Sequence, residues 1–190
     1  MWRCLQLVWI ALVAICSPSW CTEDHLIPAS RDPCLLGGLT VTYGHDLWPC
    51  ESSVPISKFD SQPPKVKLLP MHGTAGEYLT LVMVDPDVPS RDLSNGFYWL
   101  HWLVFNVERE VMLEGFDGNS GVVYTEYARP SPPKNAGLHR YQFFLFEQPE
   151  NFDESQMAIH DRANFDLKKF LEENGFTSPV AGYQFLTKNP

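Results

Sequence analysis

Three observations predict a mainly β fold, arranged as a sandwich within one domain. Three runs, Glu77 to Asp85, Phe97 to Val107 and His139 to Gln148, are apolar on both faces. Proline and glycine punctuate the chain between them, and a helical period appears only near the C-terminus. Strands buried on both sides belong in the middle of a layered structure, because a one-sided sheet would leave half of each wet.

The elements follow in order. The opening "MWRCLQLVWIALVAICSPSWC" carries one positive charge, Arg3, and then an apolar run from Cys4 to Cys16. That run is short for a bilayer span and ends in small or polar residues, so residues 1–21 read as a secretory signal peptide cut between Cys16 and Thr22. From Thr22 to Leu36 the chain is polar, with Pro28 and Pro33, and forms an extended lead-in. "LTVTYG" (Leu39 to Gly44) alternates as a strand that stops at a glycine turn. Glu51 to Pro70 holds four of the sixteen prolines and reads as edge strand and loop. After the three central strands, "DRANFDLKKFLEENG" puts Ala163, Leu167, Phe170 and Leu171 on one helical face, with Asn174-Gly175 as its stop. No repeat, linker or low-complexity run divides residues 22–190, which are read as one domain.

Composition narrows the function classes. The 190 residues are 44% hydrophobic and 13% aromatic, enough for a sizeable core, and carry a formal net charge of -9. Without a basic stripe, nucleic acid is a poor partner. No apolar segment after residue 21 is long enough to span a membrane, so none is expected in the mature chain. Processing removes Cys4, Cys16 and, if the cut follows it, Cys21. Cys34 and Cys50 are then an even pair in an oxidising compartment, and a bridge between them is expected. No N-x-S/T sequon occurs.

The strand Glu77 to Asp85 ends in "DPD", which is where the chemistry gathers. Pro86 has no N–H to give a ladder, so the strand leaves the sheet at Asp85, with its carboxylate half-solvated at the rim. Alternation places Leu79, Leu81, Met83 and Asp85 on one side. The same rule groups Trp99, His101, Leu103 and Phe105, and then His139, Tyr141, Phe143 and Leu145. Each strand thus carries an ionisable or polar group near one end of an apolar row. The stiff segment "ARPSPPKNAGLHRY" is expected to supply a second wall. Asp85, His101, His139 and Tyr141, edged by Trp99, then converge on a small polar pocket. A carboxylate there is expected to raise the pKa of a neighbouring histidine.

At these residues the sequence resembles the phosphatidylethanolamine-binding protein family. The resemblance is carried by "DPDVPSR", "FYWLHWLVFNV", "PSPPKNAGLHRYQFFLFEQ" and "NFDLKKFLEENGFTSPVAGYQF", from about Leu39 to Phe185. It implies a large central antiparallel sheet packed on a smaller one, with a few peripheral helices. It also implies an anion pocket at the end of the sheet that accepts phosphate or phosphoryl-ethanolamine, formed by Asp85, Trp99, His101, Pro133, His139 and Tyr141. Asp87 and Arg140 match positions that hold the loops. Gly96 stands where many animal members have a bulky aromatic, which opens one wall. The signal peptide and the Cys34/Cys50 pair resemble the secreted animal branch. A kinase-inhibitor role is not expected of a secreted chain that stops at Pro190, without the extra C-terminal helix of the cytosolic mammalian member.

The function expected is therefore that of a secreted, non-enzymatic binding protein, extracellular or in the lumen of the secretory pathway. Its partners are phospholipid headgroups or other phosphorylated small molecules, with no cofactor and no metal. The alternative is an extracellular serine protease inhibitor or another modulator of a protease or receptor. A third reading, a hydrolase with a metal on Asp85, Asp87, His101 and His139, requires two aspartates of one tight turn to face the same histidines. No G-x-S-x-G or HExxH accompanies them.

Overall fold

The computed structural model describes residues 32–70, 76–149, 152–157 and 161–190. The expected signal peptide and most of the lead-in lie outside the described residues. Strands β1 (Leu39–Tyr43), β2 (Asp46–Leu47) and β3 (Lys65–Leu68) form a small antiparallel sheet in the order β2-β1-β3. Strands β4 (Tyr78–Asp85), β5 (Trp99–Glu108), β6 (Val122–Thr125), β7 (His139–Glu147) and β8 (Ala181–Thr187) form a larger one, in the order β6-β5-β4-β7-β8. The three runs that are apolar on both faces are its three central strands.

Two cores explain that double-sided apolarity. Between the sheets, Val41, Tyr43 and Val66 meet Leu81, Met83, Trp102, Phe143 and Phe185. On the outer face, Val82, Val84, Leu103, Phe105, Phe144 and Phe146 are covered by Leu167, Phe170 and Leu171 of helix α2 (Leu167–Glu173). Each fully buried side chain of this size contributes about 1.5–3 kcal/mol, so neither face can be left wet cheaply. β1 and β3 have one dry face each: Leu39, Val41, Val66 and Leu68 point in, while Lys65 and Lys67 point out.

The structure corrects the helix. Ala163 is not part of α2, because Asn164 sits at φ +56° and ends any helical run before it. The helix starts only after Asp166, whose carboxylate caps it by accepting from the Lys169 N–H at 2.9 Å. Its stop is as expected, with Gly175 at φ +70°. A second helix, α1 (Arg109–Glu114), went unpredicted; six residues are too few to display a period.

Cys34 and Cys50 form a disulfide across a sequence separation of 16. It fastens a short turn, Pro33–Leu35, against β8, where the Pro33 carbonyl lies 2.8 Å from the place a Cβ on Gly182 would occupy. Only glycine fits that contact. Replacing both cysteines by serine is expected to lower stability by about 3 kcal/mol, mainly by freeing the unfolded chain. Urea denaturation measures it, and coincident midpoints would contradict it. Among the described residues no helix is long and apolar enough to cross a membrane.

Candidate functional site

Antiparallel pairing brings three strand ends to one rim. β4 runs toward the rim and ends at Asp85, while its neighbours β5 and β7 begin there with Trp99 and His139. Asp85 is registered opposite Trp99. His101 and Tyr141 follow two residues inside, and their rings meet edge to face at 5.0 Å between centroids.

Strict alternation fails along β5. Met83 pairs with Trp102 but Val84 pairs with Leu100, so a bulge at His101 inserts one extra residue. Beyond it, Leu103 and Phe105 turn to the outer core, and Trp102 and Val104 take the inner face. The expected row of Trp99, His101, Leu103 and Phe105 is thereby broken. The bulge lets His101 and Trp102 both stay on the Tyr141 side.

Asp85 is not half-solvated at the rim. It is 2% exposed and both oxygens are bonded: Oδ1 accepts from the Asp87 N–H at 2.8 Å and Oδ2 from His139 Nδ1 at 2.7 Å. A buried carboxylate needs such partners, since without them desolvation costs several kcal/mol. His139 is fully buried, and its Nε2 has no hydrogen-bond partner among the described residues.

A cavity of about 260 Å³ opens at this rim, lined by Asp85, Val88, Trp99, His101, Ser131, Pro132, Pro133 and Tyr141. Five of the six expected pocket residues therefore line this one cavity. The sixth, His139, stands behind Asp85 and reaches the cavity through it. Ser131, Pro132 and Pro133 come from the proline segment expected to supply the second wall. Val88, in the loop after the Asp-Pro-Asp turn, is the lining residue that the sequence did not mark.

Each polar group has a defined state. His101 Nδ1 lies 2.7 Å from the Ala128 carbonyl, which can only accept, so Nδ1 carries the proton and Nε2 is left free. Burial pushes the His101 pKa below its ordinary value, outweighing the Ala128 carbonyl and the Asp85 charge that favour the cation. The Asp85 charge thus acts on His101 in the expected upward direction, and burial, which the sequence did not reveal, reverses the net shift. Burial, with the Asp85 charge beside it, pushes the Tyr141 hydroxyl well up, and the Ser131 backbone bonds its oxygen. Tyr141 is a phenol with a proton to donate.

Behind the rim lies a second coupling of the same turn to the same strand. Asp87, fully buried, accepts from the Arg140 backbone N–H at 2.8 Å and from its guanidinium at 2.7 and 3.0 Å. Arg91 adds longer bonds to the same carboxylate, at 3.3 and 3.4 Å. Adjacent strand residues face opposite sides, so His139 takes Asp85 and Arg140 takes Asp87. With both Asp87 oxygens held by guanidinium groups, the four-ligand metal set does not assemble. Among the described residues, donor atoms close enough to share an ion belong to Asp32, Cys34 and Glu51, and Cys34 is in the disulfide.

Residues 41–185 match the sequence model of the family described as phosphatidylethanolamine-binding protein. A Drosophila melanogaster protein named "Putative odorant-binding protein A5" is 36% identical over 116 residues, 58% of this chain and 52% of that protein. The match thus spans about half the length of that curated relative. Among solved structures, a carboxypeptidase Y inhibitor complexed with its cognate proteinase superposes with TM-score 0.65 at 24% identity, covering 80% of this chain and 83% of that one. The phosphatidylethanolamine-binding protein from Plasmodium vivax gives 0.62 at 19% identity, covering 80% and 85%. At these identities the likeness to the two solved structures is one of fold.

Proposed function

Because this chain belongs to the phosphatidylethanolamine-binding protein family, we propose that it is a secreted, non-enzymatic protein that binds phosphoryl-ethanolamine headgroups or similar phosphorylated ligands. In this reading residues 1–21 are a cleaved signal peptide and residues 22–190 are one binding domain. The Cys34–Cys50 disulfide supports an oxidising compartment. The Drosophila melanogaster relative supports placement in an animal branch.

The observation that carries the binding reading is the make-up of the cavity: a buried carboxylate, a neutral imidazole, a phenol donor and an indole. That set suits a zwitterion. Asp85 receives the ammonium, with Trp99 offering it a π face. Tyr141 O–H and His101, once protonated at Nε2, donate to phosphate oxygens. Among the described residues no lysine or arginine lines the cavity, so a bare phosphate would meet Asp85 uncompensated. Pockets for drug-sized ligands run from roughly 300 Å³ upward, and about 260 Å³ suits a headgroup rather than two acyl chains.

Titration calorimetry tests this. Phosphoryl-ethanolamine is expected to bind more tightly than inorganic phosphate, with affinity rising as pH falls from about 8 toward 6. The sign follows from His101, which is neutral in the empty site and is favoured as the cation beside phosphate, so binding takes up a proton. Absence of binding by either compound, or tighter binding of inorganic phosphate, would overturn the reading.

A second reading, a small apolar ligand, has two observations in its favour. Val88, Trp99, Pro132 and Pro133 give the cavity an apolar side, and the Drosophila melanogaster relative carries an odorant-binding name. Displacement of a small aromatic probe by apolar volatiles, but not by phosphoryl-ethanolamine, would favour it.

A further inference from the structure

Asn-Gly occurs twice in the chain, at Asn95–Gly96 and at Asn174–Gly175, and each step is followed by phenylalanine. The step has a chemistry of its own. Glycine leaves its backbone nitrogen unscreened by a side chain, within reach of the asparagine amide carbon. With the same residues after each asparagine, a difference in reactivity has to come from the fold. At Asn174 the fold holds both reacting groups. Its Nδ2 donates to the Phe170 carbonyl at 2.8 Å, and the Gly175 N–H is taken by the Glu172 carbonyl at 3.4 Å. Asn95 differs on each count. It is exposed in the loop between β4 and β5, and among the described residues neither its Nδ2 nor the Gly96 N–H has an acceptor. Gly96 sits at φ +87°, and a Cβ there would meet no atom within 4 Å, so nothing packs the step in place. Asn95 Oδ1 accepts from the Phe97 N–H at 3.2 Å, which draws electrons from the amide carbon and turns the side chain over the backbone that follows it. Asn95 also lines a cleft of about 140 Å³ that shares Val88 and Trp99 with the Asp85 cavity.

We propose that Asn95–Gly96 is a deamidation site, and that its conversion sets a carboxylate beside the headgroup cavity and lowers affinity for phosphorylated ligands. The Gly96 nitrogen attacks Asn95 Cγ. A new C–N bond forms, the Cγ–Nδ2 bond breaks, and Nδ2 leaves as ammonia with the proton from Gly96. Water then opens the cyclic imide at either carbonyl, giving aspartate or isoaspartate. Water is the only other reactant, and conversion quickens as pH rises because the attacking nitrogen must lose its proton. The modification stands on the local geometry alone, while its effect on binding rests on the headgroup reading. The new charge repels a phosphate in the Asp85 cavity, whose described lining holds no lysine or arginine to offset it.

Peptide mapping of the folded protein, aged at mildly alkaline pH, reads the conversion by the mass gain of amide to acid and by isoaspartate. Asn95 is expected to convert well ahead of Asn174. In urea, where neither step is held, the two should convert alike. Equal rates in the folded protein, or a lead for Asn174, would overturn the site. Calorimetry reads the consequence. Asn95→Asp should weaken both phosphoryl-ethanolamine and inorganic phosphate by about 1.5- to 5-fold, the scale of one exposed charge interaction. Asn95→Gln, whose longer side chain closes the imide poorly, should bind as the wild type does and keep its affinity on ageing. An Asn95→Asp variant that binds both compounds as tightly as the wild type would overturn the effect on binding and leave the modification standing. If the wild type binds neither compound, the headgroup reading falls and the binding effect with it, while the mapping still decides the modification.

Discussion

Asp87→Ala is expected to lower stability by about 3–5 kcal/mol, the cost of removing one partner from a buried, hydrogen-bonded ion pair. The carboxylate is fully buried, and it satisfies the Arg140 backbone N–H together with a guanidinium whose side chain is only 21% exposed. Removing it strands that charge and a backbone donor at once. Arg91, with its side chain 49% exposed and its bonds long, contributes little, so Arg91→Ala should cost less than about 1 kcal/mol. Asp87→Asn, which keeps an acceptor for the backbone N–H, should fall between the two. Acid supplies an independent check. Burial pushes the Asp87 pKa up, but the hydrogen bonds from Arg140's side chain and backbone outweigh it and hold the group below its ordinary value. A carboxylate with a depressed folded pKa contributes stability above its unfolded pKa and loses it as pH falls through the folded one. The gap between wild type and Asp87→Ala should therefore be full at pH 7 and close at strongly acid pH. Urea denaturation across pH measures both quantities. Coincident curves at pH 7, or a gap independent of pH, would show that the pair does not hold the turn to β7.

What could be read from the sequence, and what could not, follows from the range of each interaction. β4, β5 and β7 were legible because a strand buried on both faces must be apolar throughout. Their meeting at one rim was legible because antiparallel neighbours set chain ends side by side. The bulge at His101 was not, for nothing in "WLHWLVF" distinguishes a skipped register from strict alternation. Asp85's burial was hidden for a related reason: its partner His139 lies 54 residues away, and an Asp-Pro-Asp turn alone suggests local bonds and a wet rim. One such local bond exists, from the Asp87 N–H, and the other oxygen faces β7. The start of α2 was misjudged because Ala163 fits the apolar period while Asn164 adopts a left-handed backbone that no period reveals.

Asp85→Asn is expected to weaken phosphoryl-ethanolamine binding by about 10- to 150-fold, the range of one charge-assisted hydrogen bond, and to affect inorganic phosphate much less. The two ligands part because Asp85 acts on them with opposite sign. For the ammonium it is the counter-ion, and its charge is what is lost. For bare phosphate it is a repulsive neighbour, so its neutralisation removes a cost. A second effect reaches both ligands through His101. The Asp85 charge favours the imidazolium against the dominant effect of burial, so without it His101 should charge only at lower pH, and the rise of phosphate binding on acidification should move downward. His101→Ala is expected to lose about 10- to 150-fold toward both ligands and to flatten that pH profile. His139→Ala serves less well as a binding probe than the sequence suggests, because it removes Asp85's buried partner and lowers stability as well as affinity. His45, exposed in the turn after β1, is the control and should change nothing. Calorimetry with both ligands between about pH 5 and 8 resolves these terms. If Asp85→Asn leaves the ratio of the two affinities and the pH profile as they are in the wild type, Asp85 bonds only the Asp87 N–H and His139. It then ends β4 as a structural carboxylate, and the ammonium is held elsewhere.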